Sequence, residues 1–485
     1  MKNSLYTSPL ALLTDLYQLT MAYGYWKLGR AEQPAVFHLF FRTPPFGGGY
    51  TLAAGLEPAL EFLENYRFEP SDIEYLATLQ GNDGQPLFER GFLQYLADLR
   101  LSCDLHALPE GTLVFGREPI LRVTGPILQC QLLETTLLNI VNFQTLIATK
   151  AARIAWAAKG EPVVEFGLRR AQGIDGALAA SRAAYIGGCA ATSNVLAGKQ
   201  FGIPVKGTHA HSWVMSFDTE LESFRSYAQV LPNNCVFLVD TYDTLDGVRH
   251  AIEVGRELRA GGHEMVGIRL DSGDLAYLSI EARKLLDEAG FPKAVILASN
   301  DLDERIIESL KQQGSTIAVW GVGTKLVTAY DQPALGGVYK LGALQTADGK
   351  WQPKLKLSEQ VIKTSIPGIL QVKRFETADG FAGDLIYDEL LGSDPELTIV
   401  DPKDPTRRKR LPHDACVHEV LVLVMRAGQR SGAAESLHTI RDRAQDQLSR
   451  LNGSSKRFLN PHEYPVGLDA RLQAQRDRMI RDARE

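Results

Sequence analysis

Cysteine is scarce in this chain: five residues in 485, at positions 103, 130, 189, 235 and 416, with no Cys-x-x-Cys pair. An odd, widely spaced set excludes a disulfide framework and points to reduced thiols in a cytoplasmic protein. Cys235 stands in the apolar run Cys235-Val236-Phe237-Leu238-Val239, where a thiol serves as a small core hydrophobe. Long hydrophobic runs are missing as well. No stretch reaches the ~20 apolar residues of a membrane helix, and Met1 to Leu10 lack the basic-then-apolar order of a secretory leader. Neither charge sign dominates, with 52 basic against 58 acidic residues and a net charge of −6, so no nucleic-acid partner is expected. The one basic run, Arg407-Arg408-Lys409-Arg410, lies among Pro and Asp and reads as a solvated turn. No Gly-x-Gly-x-x-Gly follows the first strand of the repeating region described below, which argues against a dinucleotide site.

What is present is ordinary globular material, 45% hydrophobic and 23% charged, enough for two or three domains. Residues 1–128 read as a mixed α/β block without a repeat. A helix is predicted over 10–30, with Thr14 as N-cap and Leu12, Leu13, Leu16, Leu19 and Tyr23 at helical spacing. A strand at Ala35–Arg42, a Pro/Gly loop over 43–50, short helices over 60–100 and strands over 104–130 follow. From residue 129 the texture changes. A long helix over 129–159 leads to apolar strands at Pro162–Phe166, Ile203–Val205, Cys235–Val239, Met265–Leu270, Ala294–Ala298 and Ile317–Trp320. Helices are predicted between them, over 175–200, 244–260, 274–289 and 302–313. A spacing of about 30 residues is that of a βαβ unit, hence a parallel sheet. Six such strands suit most of an irregular, incomplete β/α barrel over 129–345, and an open doubly wound sheet is the alternative. Residues 346–485 form short strands and two polar helices, over 432–451 and 467–484. They are expected to complete a mixed α/β second domain with the N-terminal block or to cover the barrel mouth.

In β/α folds chemistry collects at the strands' C-terminal rim. There this chain places Glu165, Phe166, Arg169 and Arg170; Thr208, His209 and His211; Asp240, Thr241 and Asp243; Arg269, Asp271, Ser272 and Asp274; Ser299, Asn300 and Asp301; and Gly321, Gly323, Thr324 and Lys325. Gly321-Val322-Gly323-Thr324 offers open backbone N–H groups and a hydroxyl to a phosphate. Arg169-Arg170 offers forked donors to a diphosphate. Asp271-Ser272-Gly273-Asp274 suits ribose hydroxyls, Mg²⁺ through water, or simply a helix cap. The inventory describes a phosphorylated, sugar-bearing substrate beside a histidine.

These residues resemble the nicotinate phosphoribosyltransferase family, through nearly the whole chain. The resemblance is carried by Leu13-Thr14-Asp15-Leu16-Tyr17-Gln18-Leu19-Thr20-Met21, Phe41-Arg42 with Pro45-Phe46-Gly47-Gly48-Gly49-Tyr50, and Glu165-Phe166-Gly167-Leu168-Arg169-Arg170-Ala171-Gln172-Gly173. It continues in Gly207-Thr208-His209-Ala210-His211-Ser212, Arg269-Leu270-Asp271-Ser272-Gly273-Asp274-Leu275, Ser299-Asn300-Asp301-Leu302-Asp303-Glu304 and Gly321-Val322-Gly323-Thr324. It implies a cytoplasmic homodimer with shared active sites that converts nicotinate and 5-phosphoribosyl 1-diphosphate to nicotinate mononucleotide and diphosphate, with ATP hydrolysis and Mg²⁺, in NAD biosynthesis. By the same resemblance His211 is the residue that ATP phosphorylates; a neutral imidazole is a competent nucleophile near neutral pH. Glu165 and Asp240 are both candidates to orient it. Tyr17, from the other subunit, and Phe166 would enclose the pyridine ring, and Thr208 and Arg269 would meet its carboxylate. Arg169, Asp271, Ser299, Asn300, Gly323 and Thr324 would hold the phosphoribosyl diphosphate. Ser365 joins them at a position where relatives carry Thr, with Thr364 as its substitute.

Two rivals follow from the same residues. A nicotinamide-specific enzyme would carry an acidic acceptor at the position of Thr208. A metal-dependent amidohydrolase would use His209 and His211 as a His-x-His pair, although that pair belongs after the first barrel strand and here follows the second.

Overall fold

The computed structural model describes residues 9–358 and 364–485. The chain divides into two compact units, one from Met1–Leu146 with Ala334–Glu485, the other Ile147–Pro333. The sequence reading placed its boundaries at 128/129 and 345/346. No helix among the described residues is long and apolar enough to cross a membrane.

The first unit is built from both ends of the chain. Its seven-stranded antiparallel sheet runs Trp351–Pro353, Val338–Gln345, Pro34–Phe40, Leu121–Pro126, Asp104–Ala107, Val422–Arg426 and Gln429–Arg430. The apolar strand Pro34–Phe40 is therefore flanked by a partner some 300 residues later in sequence (Ala35 faces Leu344). A second, six-stranded sheet comes entirely from the C-terminal third, from Arg408–Arg410 across to Cys416–Glu419. There Arg374 and Asp384 are both fully buried, 2.6 Å apart, and Tyr464 donates to Asp384 at 2.8 Å. The first helix spans Leu16–Lys27 and its N-cap position is Asp15, not Thr14. A turn in which the Thr14 amide bonds back to the Leu12 carbonyl precedes it and delays the start.

The second unit is a parallel sheet with helical crossovers. Its strands are β1 (Val163–Glu165), β2 (Ala191–Thr192), β3 (Val236–Leu238), β4 (Gly267–Leu270), β5 (Val295–Ala298) and β6 (Val319–Val322), in the order β2-β1-β6-β5-β4-β3. Phe237, Ile268, Leu270, Ile296, Ala298, Trp320 and Val322 are buried on it.

Three expectations are corrected here. The helix predicted over 175–200 is two helices, Ile174–Gly187 and Val195–Phe201, with β2 between them. Gly188, at φ 121°, ends the first, and Asn194 caps the second by accepting from the Ala197 amide. Ile203–Val205 is not a strand; Val205 makes only one bridge, to Thr192. Further along, Gly321 lies inside β6 rather than in the loop after it, and Gly323 takes the N-cap position of a short helix from Thr324.

Candidate active site

The strand tips of the second unit converge on Arg269, at the end of β4. Its Nε donates to Ser299 Oγ at 2.9 Å, its Nη1 to Thr208 Oγ1 at 3.0 Å, and its Nη2 to Asp271 Oδ1 at 2.7 Å. Three of five guanidinium N–H groups are thus committed, and the fork keeps two for an incoming anion. Ser299 also donates to Asp271. The Phe166 ring lies 5.6 Å from the Arg269 carbon, within cation–π range. Burial would push the Asp271 carboxyl up; the Ser299 hydroxyl and the Arg269 guanidinium outweigh it and hold the group below its usual value.

Phe166 reaches this position because Gly321 has no side chain. A Cβ there would meet ring atoms Cδ2 and Cε2 at 2.7 Å. Gly323 is close as well, its missing Cβ 3.1 Å from the Phe166 carbonyl oxygen. The adjacent Glu165 is fully buried. It accepts from Ser181 at 2.9 Å, from Thr192 at 2.6 Å and from the Gly167 amide, and so fixes the turn that presents Phe166.

His211 opens a short helix, His211–Met215. Its Nδ1 is 3.1 Å from Thr241 Oγ1. Its Nε2 faces two carboxylates, Asp271 Oδ2 at 3.8 Å and Asp240 Oδ1 at 4.0 Å. Asp240 is itself immobilised, accepting on Oδ2 from the Asp271 amide at 2.9 Å and from the Ser272 hydroxyl at 2.6 Å. Its Oδ1 is buried and has no hydrogen-bond partner among the described residues. Of the two carboxylates considered for orienting His211, Asp240 stands at the ring, while the oxygens of Glu165 are engaged elsewhere.

His209 points the other way. Its Nε2 accepts from the Leu238 amide at 3.3 Å, and its ring lies among Phe224, Tyr227 and Phe237. Burial pulls its pKa to about 4 against the raising effect of the Ala210 carbonyl, with Arg269 and His211 adding to the depression. Neutral His209 therefore laces the 208–211 segment to the edge strand β3. With that nitrogen committed, the two histidines do not form a metal-binding pair. Among the described residues no group of three or more His, Cys, Asp or Glu is arranged to hold a metal ion.

The structure thus brings Phe166, Thr208, His211, Arg269, Asp271 and Ser299 together. Asn300 follows at the end of β5 with φ 98°, exposed, and Thr324 is half-buried beside Gly323. Arg169 is exposed in the short turn Leu168–Arg170. Tyr17, half-exposed on the Leu16–Lys27 helix, and buried Ser365, which accepts from the Lys356 amide at 2.8 Å, belong to the first unit. The sequence reading listed Thr241 at a strand end but assigned it no role. The signal was its place directly after Asp240.

Parallel strands whose tips hold one guanidinium, two carboxylates, an imidazole and an aromatic ring in a single cluster define an α/β enzyme. Three family models match the chain: the nicotinate phosphoribosyltransferase N-terminal domain over residues 12–142, the nicotinate phosphoribosyltransferase family over 162–377, and the C-terminal domain over 371–476. Nicotinate phosphoribosyltransferase of Bacillus subtilis is 47% identical over 464 residues, covering 95% of this chain and 93% of the relative. The human enzyme of that name is 38% identical over 528 residues, covering 96% and 95%. The crystal structure of human nicotinic acid phosphoribosyltransferase matches with a TM-score of 0.83 at 34% identity, over 96% of this chain and 99% of that one. A nicotinate-nucleotide pyrophosphorylase from Pyrococcus furiosus shares the fold, with a TM-score of 0.69 at 20% identity, over 91% and 95%. The chain belongs to the nicotinate phosphoribosyltransferase family.

Proposed function

We propose that the chain transfers the phosphoribosyl group of 5-phosphoribosyl 1-diphosphate to nicotinate, giving nicotinate mononucleotide and diphosphate in NAD biosynthesis, with ATP hydrolysed through His211. The observation that carries the reading is the Arg269 guanidinium, held by Thr208, Asp271 and Ser299 beside the Phe166 ring. A fixed fork next to an aromatic face suits a flat pyridine bearing a carboxylate, and disfavours its amide.

At the sugar, the bond to diphosphate breaks, an oxocarbenium-like carbon develops, and the pyridine nitrogen forms the new C–N bond. Rate then depends on positioning and on charge placed where charge develops. Arg269 and Thr208 orient the carboxylate, and Phe166 covers one ring face. Asp271 faces the ribose, while Asn300, Gly323 and Thr324 receive the 5-phosphate and Arg169 the diphosphate. In the ATP cycle His211 accepts the γ-phosphoryl group with release of ADP, and water later cleaves the N–P bond. The phosphoryl group adds nearly two negative charges beside Asp240 and Asp271, a change large enough to alter substrate affinity. The orphan Oδ1 of Asp240 and the Oδ2 of Asp271 suit a cation such as Mg²⁺ held largely by substrate phosphates. Bound there, it would neutralise charge on the diphosphate. An irregular barrel laced by His209, a cytoplasmic location and a homodimer in which the partner supplies Tyr17, with Thr364 or Ser365 as a further phosphate ligand, complete this reading.

His211→Ala is expected to abolish ATP hydrolysis and weaken binding of 5-phosphoribosyl 1-diphosphate while leaving slow ATP-independent transfer. Unchanged coupling in that variant would refute the role. A product assay with nicotinate and nicotinamide in competition tests the substrate, and equal rates would overturn it.

A further inference from the structure

Lys325 and Asp303 belong to the strand tips of the second unit and take no part in the roles above. They pair at 2.7 Å, Lys325 Nζ donating to Asp303 Oδ2. The partners come from neighbouring tips. Strands β5 and β6 run side by side, with Leu297 opposite Val319 and Ala298 opposite Trp320. Asp303 ends the loop after β5, and Lys325 lies in the short helix Thr324–Val327 after β6. The bond therefore ties the loop that carries Asn300 to the turn that carries Gly323 and Thr324.

The two ends of this tie differ in stiffness. Asp303 is buried, and its Oδ1 accepts from the Arg305 and Ile306 amides at 3.0 and 2.8 Å, capping the helix Glu304–Gln312. Beside it, Glu304 is 1% exposed and held by two cations, Lys150 at 2.7 Å and Arg153 at 2.8 Å. Lys150 also reaches Asp331 at 2.7 Å. Breaking such a buried set is costly, because a charge is left without its partner. The Asp303 carboxylate is thus a fixed post. Burial would push its pKa up; the Lys325 ammonium, the Ile306 amide and Lys150 outweigh burial and hold it below the usual value. Lys325, by contrast, sits in a helix of four residues, too short to persist on its own hydrogen bonds. It is the β6 turn that the tie restrains.

The loop before Asp303 also needs a stay. Asn300 and Asp301 take φ 98° and 41°, both in the left-handed region. Asn and Asp tolerate that region better than most residues, yet two in succession carry strain that the surroundings must hold. Ser299 anchors the near end of the loop through Arg269 and Asp271, and Asp303 anchors the far end.

We propose, resting on the phosphoribosyl transfer inferred above, that Lys325 is a positioning residue: through Asp303 it fixes the spacing of the two loops that receive the 5-phosphate, and it does not itself bind that group. A lysine bound directly to the phosphate would behave in the opposite way toward Asp303. There the acid competes for the ammonium, and removing it raises phosphate affinity. Here the acid is the post, and removing it lowers affinity.

The test compares wild type with Lys325→Met, Lys325→Arg, Asp303→Asn and the double variant that joins Lys325→Met to Asp303→Asn. Asparagine still caps the helix, but its amide would face the ammonium donor to donor. With each substrate varied separately, KM for 5-phosphoribosyl 1-diphosphate should rise about tenfold in Lys325→Met and in Asp303→Asn, the scale of one charge-assisted bond. The kcat and the KM for nicotinate should stay within about twofold. Lys325→Arg, which still reaches the carboxylate, should remain within about threefold of wild type. The double variant should be no worse than either single one, since both remove the same tie. Hydrogen exchange of the ligand-free protein reads the tie without substrate: amides over 322–328 should exchange about tenfold or more faster in Lys325→Met. If Asp303→Asn does not fold, the contrast between the Met and Arg variants and the exchange rates carry the test. An unchanged or lowered KM for 5-phosphoribosyl 1-diphosphate in Asp303→Asn, additive losses in the double variant, or wild-type exchange in Lys325→Met would each overturn the proposal. Wild type that forms no nicotinate mononucleotide would overturn the transfer reading instead, and the exchange rates would still decide the tie.

Discussion

Gly321→Ala offers a sharp probe of the proposed pyridine wall. The added methyl would start 2.7 Å from two carbons of the Phe166 ring, about 1 Å inside ordinary carbon–carbon contact. The strand cannot give way. Gly321 pairs with Val164 in the centre of the sheet, and Trp320 and Val322 beside it are fully buried. The ring must therefore move about 1 Å, toward the Arg269 guanidinium or into the space a substrate ring would occupy. Overpacking of this kind costs about 1–3 kcal/mol of stability, and a displacement of about 1 Å at a substrate-positioning residue lowers turnover about 100-fold. The expected outcome is a rise in KM for nicotinate of at least about tenfold, with KM for 5-phosphoribosyl 1-diphosphate changed far less. Steady-state kinetics with each substrate varied separately reads both, and a melting curve shows that the fold survives. Combining Gly321→Ala with Phe166→Ala, which removes the clashing ring, should add much less to the defect than the two separate effects. If Gly321→Ala alone leaves KM for nicotinate within twofold of wild type, the Phe166 face does not bound the nicotinate site.

Three further outcomes follow from other groups. Folded His209 holds its pKa near 4, whereas an unfolded histidine titrates near 6.5, so between those values the unfolded chain binds the extra proton. Stability should therefore fall as pH drops from about 6.5 to 4, by up to about 1.4 kcal/mol per unit from this residue, and His209→Gln should flatten that slope in denaturant titrations. An unchanged slope would mean that His209 is not buried as a neutral acceptor. Arg374→Met strands Asp384 in the first unit, and thermal melts should register a loss of about 3–5 kcal/mol; a variant as stable as wild type would show that the pair is dispensable. Thr241→Val removes the hydroxyl at His211 Nδ1, and ATPase assays should show at least about tenfold slower hydrolysis, the scale of one lost orienting hydrogen bond. Wild-type hydrolysis would assign the orientation of His211 to its carboxylates alone.

The parallel sheet was legible because each long strand is a short apolar run bracketed by a helix end and a polar tip. Val236–Leu238, Gly267–Leu270 and Val295–Ala298 fall within the predicted segments. Ala191–Thr192 was not legible. Two residues are too few for periodicity, and the alanines around them read as continued helix; only the glycine pair at 187–188 marked the break. The candidate site was visible as residue types at strand ends, but not as a hydrogen-bond pattern. That Ser299 turns onto Arg269 and Asp271, or that His209 faces away from His211, depends on register between strands about 30 residues apart. No local pattern encodes register at that distance. The first unit was the least legible, since its seven-stranded sheet joins segments from opposite ends of the chain.

That joining has a consequence for biosynthesis. While the ribosome works from residue 40 to residue 338, one flank of the Pro34–Phe40 strand has no neighbour to zip against. At about 5–20 residues per second, this interval lasts on the order of 15–60 s. The nascent chain must shield Val36, Phe37 and Leu39 for that long, and bare β-edges of such composition invite association with other chains. Yield of active protein should thus respond to translation speed and to holdase chaperones more than the stability of the finished molecule would suggest.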